Sequence, residues 1–389
     1  MNDIKYRKQL VTGISLFSFF VIMQITTWIP LRYWHIWGGG NFIDSQQILQ
    51  WSKCFETRGN LVFSNEGDCS GYIYGSTLLK ILSFFKVDPT VTQIFGYMFM
   101  FVLAGTIALT IKPFSKFKED PYIILILLSP PVLLLAERGN FDIVMFALIC
   151  LAGILFGRNH KILALIPLAL ATLLKFYSFP LFILFFLLSD NKKTRMATLA
   201  IGVAVSVRML LDLHLIQTSF PSGYSWKFGA SIWTRYLTQL DVPNRGEVLN
   251  NLTGLLFLLI TVVVIFVVLR RRKLDIPPIN SGNRVDRLLF YALLLTHFSC
   301  FVLGMSFDYR LIFLGIASAI YLNSFCIRKG ADSNFVLVLT ITCLWLTYPS
   351  SGLEPIGDLA NEILTVYLGI RALQLFRIDL NPQKYKLSL

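Results

Sequence analysis

Asp44 stands at the end of a glycine-rich approach, Gly38-Gly39-Gly40-Asn41-Phe42-Ile43-Asp44. A carboxylate there suits a site loop, since glycines allow the backbone turns that such loops need. The same acid also suits a helix start, as an N-cap or first-turn residue ahead of Gln46 to Lys53. Further along, Glu137-Arg138-Gly139-Asn140-Phe141-Asp142 joins two apolar runs with almost no spare residues. Glu137, Arg138 and Asp142 either close a hairpin as a satisfied ion cluster, or Arg138 and Asn140 bind an anionic or hydroxyl-rich ligand. The dipole of a helix beginning near Phe141 favours an anion in the second case. Lys175 lies 14 residues beyond Lys161, about 21 Å along a helix. At that height it either anchors to the interface by snorkelling or meets a phosphate. Arg208 and Asp212, spaced i, i+4, read first as a structural pair and second as a ligand site. Asp308-Tyr309-Arg310 forms a third tight turn with the same two choices.

The elements that position these residues follow from composition. Of 389 residues, 55% are hydrophobic and only 15% charged, against roughly 25% charged in a soluble domain. The mean hydropathy of +0.64 with 33 Phe makes lipid the expected solvent and excludes disorder, collagen and small disulfide scaffolds. Apolar stretches predict an all-α polytopic membrane protein, one helical membrane domain over 1–389, with about 12 spans. These cover roughly 9–30, 90–111, 121–136, 141–157, 161–176, 177–189, 195–212, 250–269, 287–305, 309–327, 334–349 and 359–376. Two larger exoplasmic loops interrupt them, 31–89 with an interfacial helix near Ser76 to Val87, and 213–249 carrying Arg235 and several aromatics. Pro180 marks a helix boundary just past Lys175.

The first span follows Lys5, Arg7 and Lys8 and lacks a small-residue cleavage site, so it reads as an uncleaved anchor with a cytoplasmic N-terminus. Alternating from there puts Lys112, Arg158, Lys192, Arg270 to Lys273 and Arg328 on the same inner side, as the positive-inside rule asks. The net charge of +13 therefore reads as orientation rather than as a nucleic-acid footprint. Cys54 and Cys69, 15 positions apart in the first outer loop, are either free thiols or a disulfide worth about 3 kcal/mol.

The order of these features resembles glycosyltransferase family 87, within the C-type glycosyltransferase superfold. An Asp soon after the first span, Tyr72-x-Tyr74 before the next apolar run, the E-R-G-N-x-D turn and L-K-F-Y-x-x-P at 174–180 carry the resemblance, best over roughly 40–190. It implies a mannosyltransferase-like enzyme of the cell membrane that uses a polyprenyl-phosphate sugar outside the membrane. Asp44 corresponds to the family's general base and Lys175 to a contact of the donor phosphate. Arg138 joins Lys175 there, and Glu137, Asn140, Asp142, Tyr74 and Arg235 are substrate-binding candidates.

The chemistry agrees. A phosphate leaving group needs charge stabilisation but no proton, so one carboxylate with nearby cations suffices, and the anomeric configuration inverts. A glycosidase, expelling an alkoxide, needs two carboxyl groups. No D-x-D pair occurs in the outer loops to hold a nucleotide-sugar metal, so no cofactor or metal is expected. Trp37, Trp51, Trp226 and Trp233 either face sugar rings or form the interfacial aromatic belt. The expected partners are the lipid-linked donor, a glycan or glycolipid acceptor and membrane lipid, with both termini cytoplasmic. A lipid-linked oligosaccharide polymerase or ligase, or a transporter or flippase of such lipids, is the alternative; transporters tend to place charged sites near the midplane, where Arg208 is the residue to watch.

Overall fold

The computed structural model describes residues 2–26, 41–63, 69, 72, 74–111, 122–215, 227–228, 256, 259–261, 263, 283–302, 306–307, 310–326, 331–347 and 352–380. Those residues are helical apart from loops and one two-residue antiparallel pair, Lys227–Phe228 (β1) with Ser306–Phe307 (β2). Most of the expected loop 213–249, with Arg235, Trp226 and Trp233, and also Trp37, Asp308 and most of 250–269, lie outside the described residues. The chain forms two compact units, one of Met1–Pro121 with Val132–Gly223, the other of Tyr122–Pro131 with Tyr224–Leu389.

In the first unit the helices are α1 (Asn2–Thr26), α2 (Ile43–Arg58), α3 (Ser76–Phe84) and α4 (Thr92–Thr110). After them, α5 (Tyr122–Leu127) belongs to the second unit, and α6 (Pro130–Glu137) leads back into the first. The first unit closes with α7 (Asp142–Gly157), α8 (Lys161–Leu174), α9 (Leu181–Leu187) and α10 (Lys192–Leu215). Side chains along the longer helices explain why lipid is the natural solvent. On α1, Leu10, Val11, Ile14, Ile22 and Ile25 are all exposed, and on α10 so are Val203, Val207, Leu210 and Leu211. Such apolar rows are favourable against hydrocarbon and costly against water.

Twelve full-length spans do not emerge. Among the described residues, four helical stretches are long and apolar enough to cross a membrane: Arg7–Ile25, Pro89–Thr110, Lys192–Asp212 and Arg284–Val302. Pro130–Glu137 with Asp142–Gly157, bent by 112°, makes a fifth if taken as one broken span. The difference has local causes. The stretch read as 121–136 breaks at Ser129-Pro130-Pro131, because proline has no N–H for the helical ladder. The stretches read as 161–176 and 177–189 yield helices of 14 and 7 residues, about 21 and 10 Å long, short of the roughly 30 Å hydrocarbon layer. Their boundary is earlier than Pro180 alone suggests, since the chain leaves the helix at Lys175 and passes through a 3₁₀ turn at Phe176–Ser178.

The polar first loop is itself a small structured layer. Helix α2 begins at Ile43, so Asp44 does fall in its first turn, and Gly59 ends it with a positive φ of 57°. Cys54 and Cys69 form a disulfide with Cα atoms 5.7 Å apart. That bridge closes over a buried cluster of Val62, Phe63, Tyr72 and Leu79, against which Trp51, Cys54, Phe55 and Tyr74 pack. Helix α3 buries Leu78, Leu79 and Leu82 and leaves Ile81, Phe84 and Phe85 exposed, the amphipathic split of an interfacial helix.

The second unit contains α11 (Arg284–Val302), α12 (Leu311–Ser324), α13 (Ala331–Leu346) and α14 (Glu354–Leu380). Several of its buried polar groups bind one another across helices, which lowers the cost of holding them in an apolar interior. His297 Nε2 lies 3.1 Å from Asn361 Oδ1 and 3.0 Å from Thr365 Oγ1. Arg371 pairs with Asp332 at 3.0 Å, whose other oxygen accepts the Tyr321 hydroxyl.

One close approach governs how the first loop meets the helices. Phe42 is fully buried in the left-handed region (φ 63°), and its ring lies flat against Gly96 of α4. A Cβ at Gly96 would overlap that ring outright. Gly96→Ala is therefore expected to destabilise the protein by about 1–3 kcal/mol, the range for overpacking a close-packed site. Thermal unfolding of the detergent-solubilised protein checks this, with Gly105→Ala as the control because a Cβ there meets nothing within 4 Å; equal midpoints would refute the packing account.

Candidate functional site

The site is built on the turn that ends α6. Asn140 N–H donates to Leu135 O (3.3 Å) and Gly139 N–H to Ala136 O (3.2 Å), with Gly139 at φ 55°. This is a Schellman end, in which a left-handed glycine satisfies the last carbonyls of the helix. The glycine is needed a second time, since its missing side chain admits Ser45 and Phe42: a Cβ would sit 2.6 Å from Ser45 Oγ and 3.0 Å from the Phe42 ring.

Onto this turn the start of α2 docks through its backbone. Phe42 N–H donates to Glu137 O (3.0 Å), Asp44 N–H to Arg138 O (3.1 Å) and Ser45 Oγ–H to Gly139 O (2.6 Å). The three contacts fix Asp44 over Arg138. Arg138 Nε donates to both Asp44 oxygens at 3.0 and 2.9 Å, and its Nη2 forms a further bond to Oδ1. Asn140 Nδ2 donates to Asp44 Oδ2. A forked guanidinium and an amide thus hold one carboxylate that is 8% exposed.

Asn140 is held in turn. Its Oδ1 accepts the backbone N–H of Asp142 at 2.7 Å, which caps α7 and requires the Nδ2 group to face Asp44. Asp142 is completely buried in the first turn of α7, where the helix dipole favours an acid. Its Oδ1 accepts from Lys175 Nζ and from the Tyr177 hydroxyl, both at 2.6 Å. Lys175 Nζ also lies 4.4 Å from the centre of the Tyr74 ring, a cation–π contact. The extended backbone of Lys175 at the end of α8 turns its side chain back toward Asp142, and the 3₁₀ turn that follows supplies Tyr177.

Arg138, Asp44, Asn140, Asp142, Lys175 and Tyr74, separated by up to 131 positions in sequence, therefore form one continuous chain of polar contacts. Glu137 is buried beside it. The two cations expected at a donor phosphate are each already bound to a carboxylate. Arg138 keeps some exposure at 23% of its side chain, whereas Lys175 keeps 3%. Trp51 packs edge-on to Tyr72 at 5.3 Å in the loop core.

Tyr177, Ser45 and Phe42 are parts of this arrangement that residue types alone did not single out. Tyr177 stands within the L-K-F-Y segment, two positions after Lys175, so a 3₁₀ turn there would have brought both to one acceptor. The phenol of Tyr72 is pushed well above its ordinary range, first by burial and then by Tyr74 and Asp212, so it stays a donor to Gly75 O at 3.2 Å. The chain matches no protein-family model, no curated protein and no solved structure.

The Lys175–Asp142 pair has a stability consequence. Removing one partner of a buried pair strands the other charge, at a cost of about 3–5 kcal/mol, whereas replacing both is often close to neutral. Lys175→Met should lower the thermal midpoint strongly, and Lys175→Met with Asp142→Leu should recover most of the loss. A double variant as unstable as the sum of the singles would contradict the pairing.

Proposed function

We propose that the chain is an integral-membrane, inverting glycosyltransferase that moves a hexose, mannose by family expectation, from a polyprenyl-phosphate sugar to a glycan or glycolipid acceptor. The observation that carries this reading is the single carboxylate, Asp44, held by Arg138 and Asn140 in a polar chain that contains two cations. Its resemblance to glycosyltransferase family 87 and the C-type superfold over the same segment supports it, as does the presence of helices long and apolar enough to bring a lipid-linked donor alongside. The proposed placement is the inner membrane, termini in the cytoplasm and Asp44 on the exoplasmic side.

In the proposed reaction the acceptor O–H gives its proton to Asp44 while its oxygen attacks the anomeric carbon. The bond from that carbon to the phosphate oxygen breaks, and its electron pair leaves with the polyprenyl phosphate. Arg138 and Asn140 fix the direction of the Asp44 carboxylate, and Asp44 takes the proton as Arg138 gives up part of its fork. Arg138 is near enough to exchange part of its fork from Asp44 to a phosphate oxygen. Lys175, almost wholly buried, contributes by fixing Asp142 and through it the amide of Asn140. Glu137, Asn140, Asp142, Tyr74 and Arg235 remain the candidates for substrate contacts.

Asp44→Asn is the test. It keeps size and removes the proton acceptor, so transfer from a radiolabelled polyprenyl-phosphate hexose in membranes should drop by about 10²-fold or more, with insertion into the membrane unchanged. Turnover at the wild-type rate would rule out Asp44 as the base.

A further inference from the structure

A second polar cluster in the first unit stands apart from the chain just described. Arg208 of α10 donates through Nη2 to Asp212 Oδ1 at 2.7 Å and to Ser76 Oγ, and Ser76 Oγ–H donates to the same Asp212 oxygen at 2.8 Å. All of these guanidinium bonds leave from one nitrogen. A guanidinium has five N–H groups, so Nη1 and Nε keep three, which bind no described residue. The Arg208 side chain is 34% exposed, and Val207, Leu210 and Leu211 around it are exposed and apolar.

The height of the residue matters. Asp212 ends the apolar stretch Lys192–Asp212, and Arg208 lies one turn inside it, about 6 Å along the axis. A cation one turn from the end of a lipid-facing helix sits where hydrocarbon gives way to headgroups. Free N–H groups are costly there unless an acceptor-rich anion meets them. A lipid phosphate supplies that partner, and it arrives along the bilayer. Asp212 and Ser76 hold Nη2 and so fix the guanidinium in place, which leaves Nε and Nη1 as charge-assisted donors for phosphate oxygens.

A short segment joins this cluster to the Asp44 chain. Ser76 follows Tyr74 and Gly75, and Tyr74 is the ring under Lys175. Gly75 is wedged between them: a Cβ there would come within 2.9 Å of Asp212 Oδ2 and 3.0 Å of Leu173 O. Of these three cations, Lys175 is closed off by Asp142 and Tyr74 and Arg138 holds Asp44, whereas Arg208, 34% exposed, keeps Nε and Nη1 without a described partner.

We infer that Arg208, aimed by Asp212 and Ser76, is the contact for the phosphate of the lipid-linked donor. This rests on the glycosyltransferase reading above and gives Arg208 the phosphate contact that the family resemblance assigns to Lys175, with Arg138 assisting from the Asp44 side. Asp212 and Ser76 are positioning residues in this scheme.

The test measures binding of a short-chain polyprenyl monophosphate to the full chain in phosphatidylcholine nanodiscs, with the corresponding prenyl alcohol, inorganic phosphate and phosphatidylglycerol as comparison ligands. Wild type should bind the monophosphate and not the alcohol. Arg208→Gln should weaken that binding on the order of tenfold or more, the loss expected for a charge-assisted bond. Arg208→Lys keeps the charge but loses the Nε and Nη1 donors; it should unfold at the wild-type temperature without ligand and still bind several-fold more weakly. Equal binding by wild type and both variants would overturn the Arg208 assignment while leaving the transferase reading intact. Equal competition by phosphatidylglycerol would also overturn it, assigning Arg208 to bulk headgroups, and competition by inorganic phosphate alone would remove the lipid from the site. Failure of wild type to bind the monophosphate would overturn the transferase reading itself.

Discussion

The docking of the α2 start onto the turn after α6 is the constraint on which the rest of the first unit depends. Three hydrogen bonds to the carbonyls of Glu137, Arg138 and Gly139 place the first loop, and two residues must be abnormal to allow them. Phe42 adopts a left-handed conformation, and Gly139 does the same without a side chain. Left-handed backbone at a phenylalanine costs about 1–2 kcal/mol, which full burial of its ring against Gly96 offsets. The carboxylate of Asp44 is thus set by packing well outside its own neighbourhood. Its direction follows from Arg138 and Asn140, two residues on the same turn.

That turn serves three purposes at once, which explains why so short a sequence holds so many charged residues. It ends α6, it receives the first loop, and it begins α7 through Asn140 and Asp142. The Asn140 amide links the two halves, because its oxygen is committed to the α7 cap and its nitrogen must then face Asp44. Lys175 and Tyr177 complete the far side by closing Asp142 off from solvent. The result is a row of alternating acceptors and donors in which each group has one orientation, the condition for preorganised chemistry. Arg208 differs from Arg138, which binds its acid through Nε and Nη2, because its own ion pair uses Nη2 alone.

Much of this was legible from residue types and spacing. The E-R-G-N-F-D turn, the Asp44 approach, the Lys175 break and the Arg208–Asp212 spacing are each local features, and local rules of capping and periodicity locate them. Within the E-R-G-N-F-D cluster, Arg138 takes its carboxylate from Asp44, on another helix 94 positions away. Which acid each cation takes was not legible, because Lys175 and Asp142 meet through tertiary packing that no short-range pattern encodes. Helix length was misjudged for a related reason. Apolar runs at 121–136 and 161–189 look like spans, but Pro130, Pro131 and the Lys175–Pro180 break cut them into shorter helices whose ends carry the polar chain. The breaks that shorten these helices are the ones that bring free backbone groups and charges into the polar chain.

The central claim is that one carboxylate, without a second acid or a covalent intermediate, serves sugar transfer from a phosphate. Product stereochemistry tests it most directly. Purified wild-type protein in nanodiscs, supplied with a polyprenyl-phosphate hexose of known anomeric configuration and an acceptor, should give a glycosidic linkage of the opposite configuration by NMR of the product. A linkage that retains the donor configuration, or donor that is left unconsumed, would contradict the account.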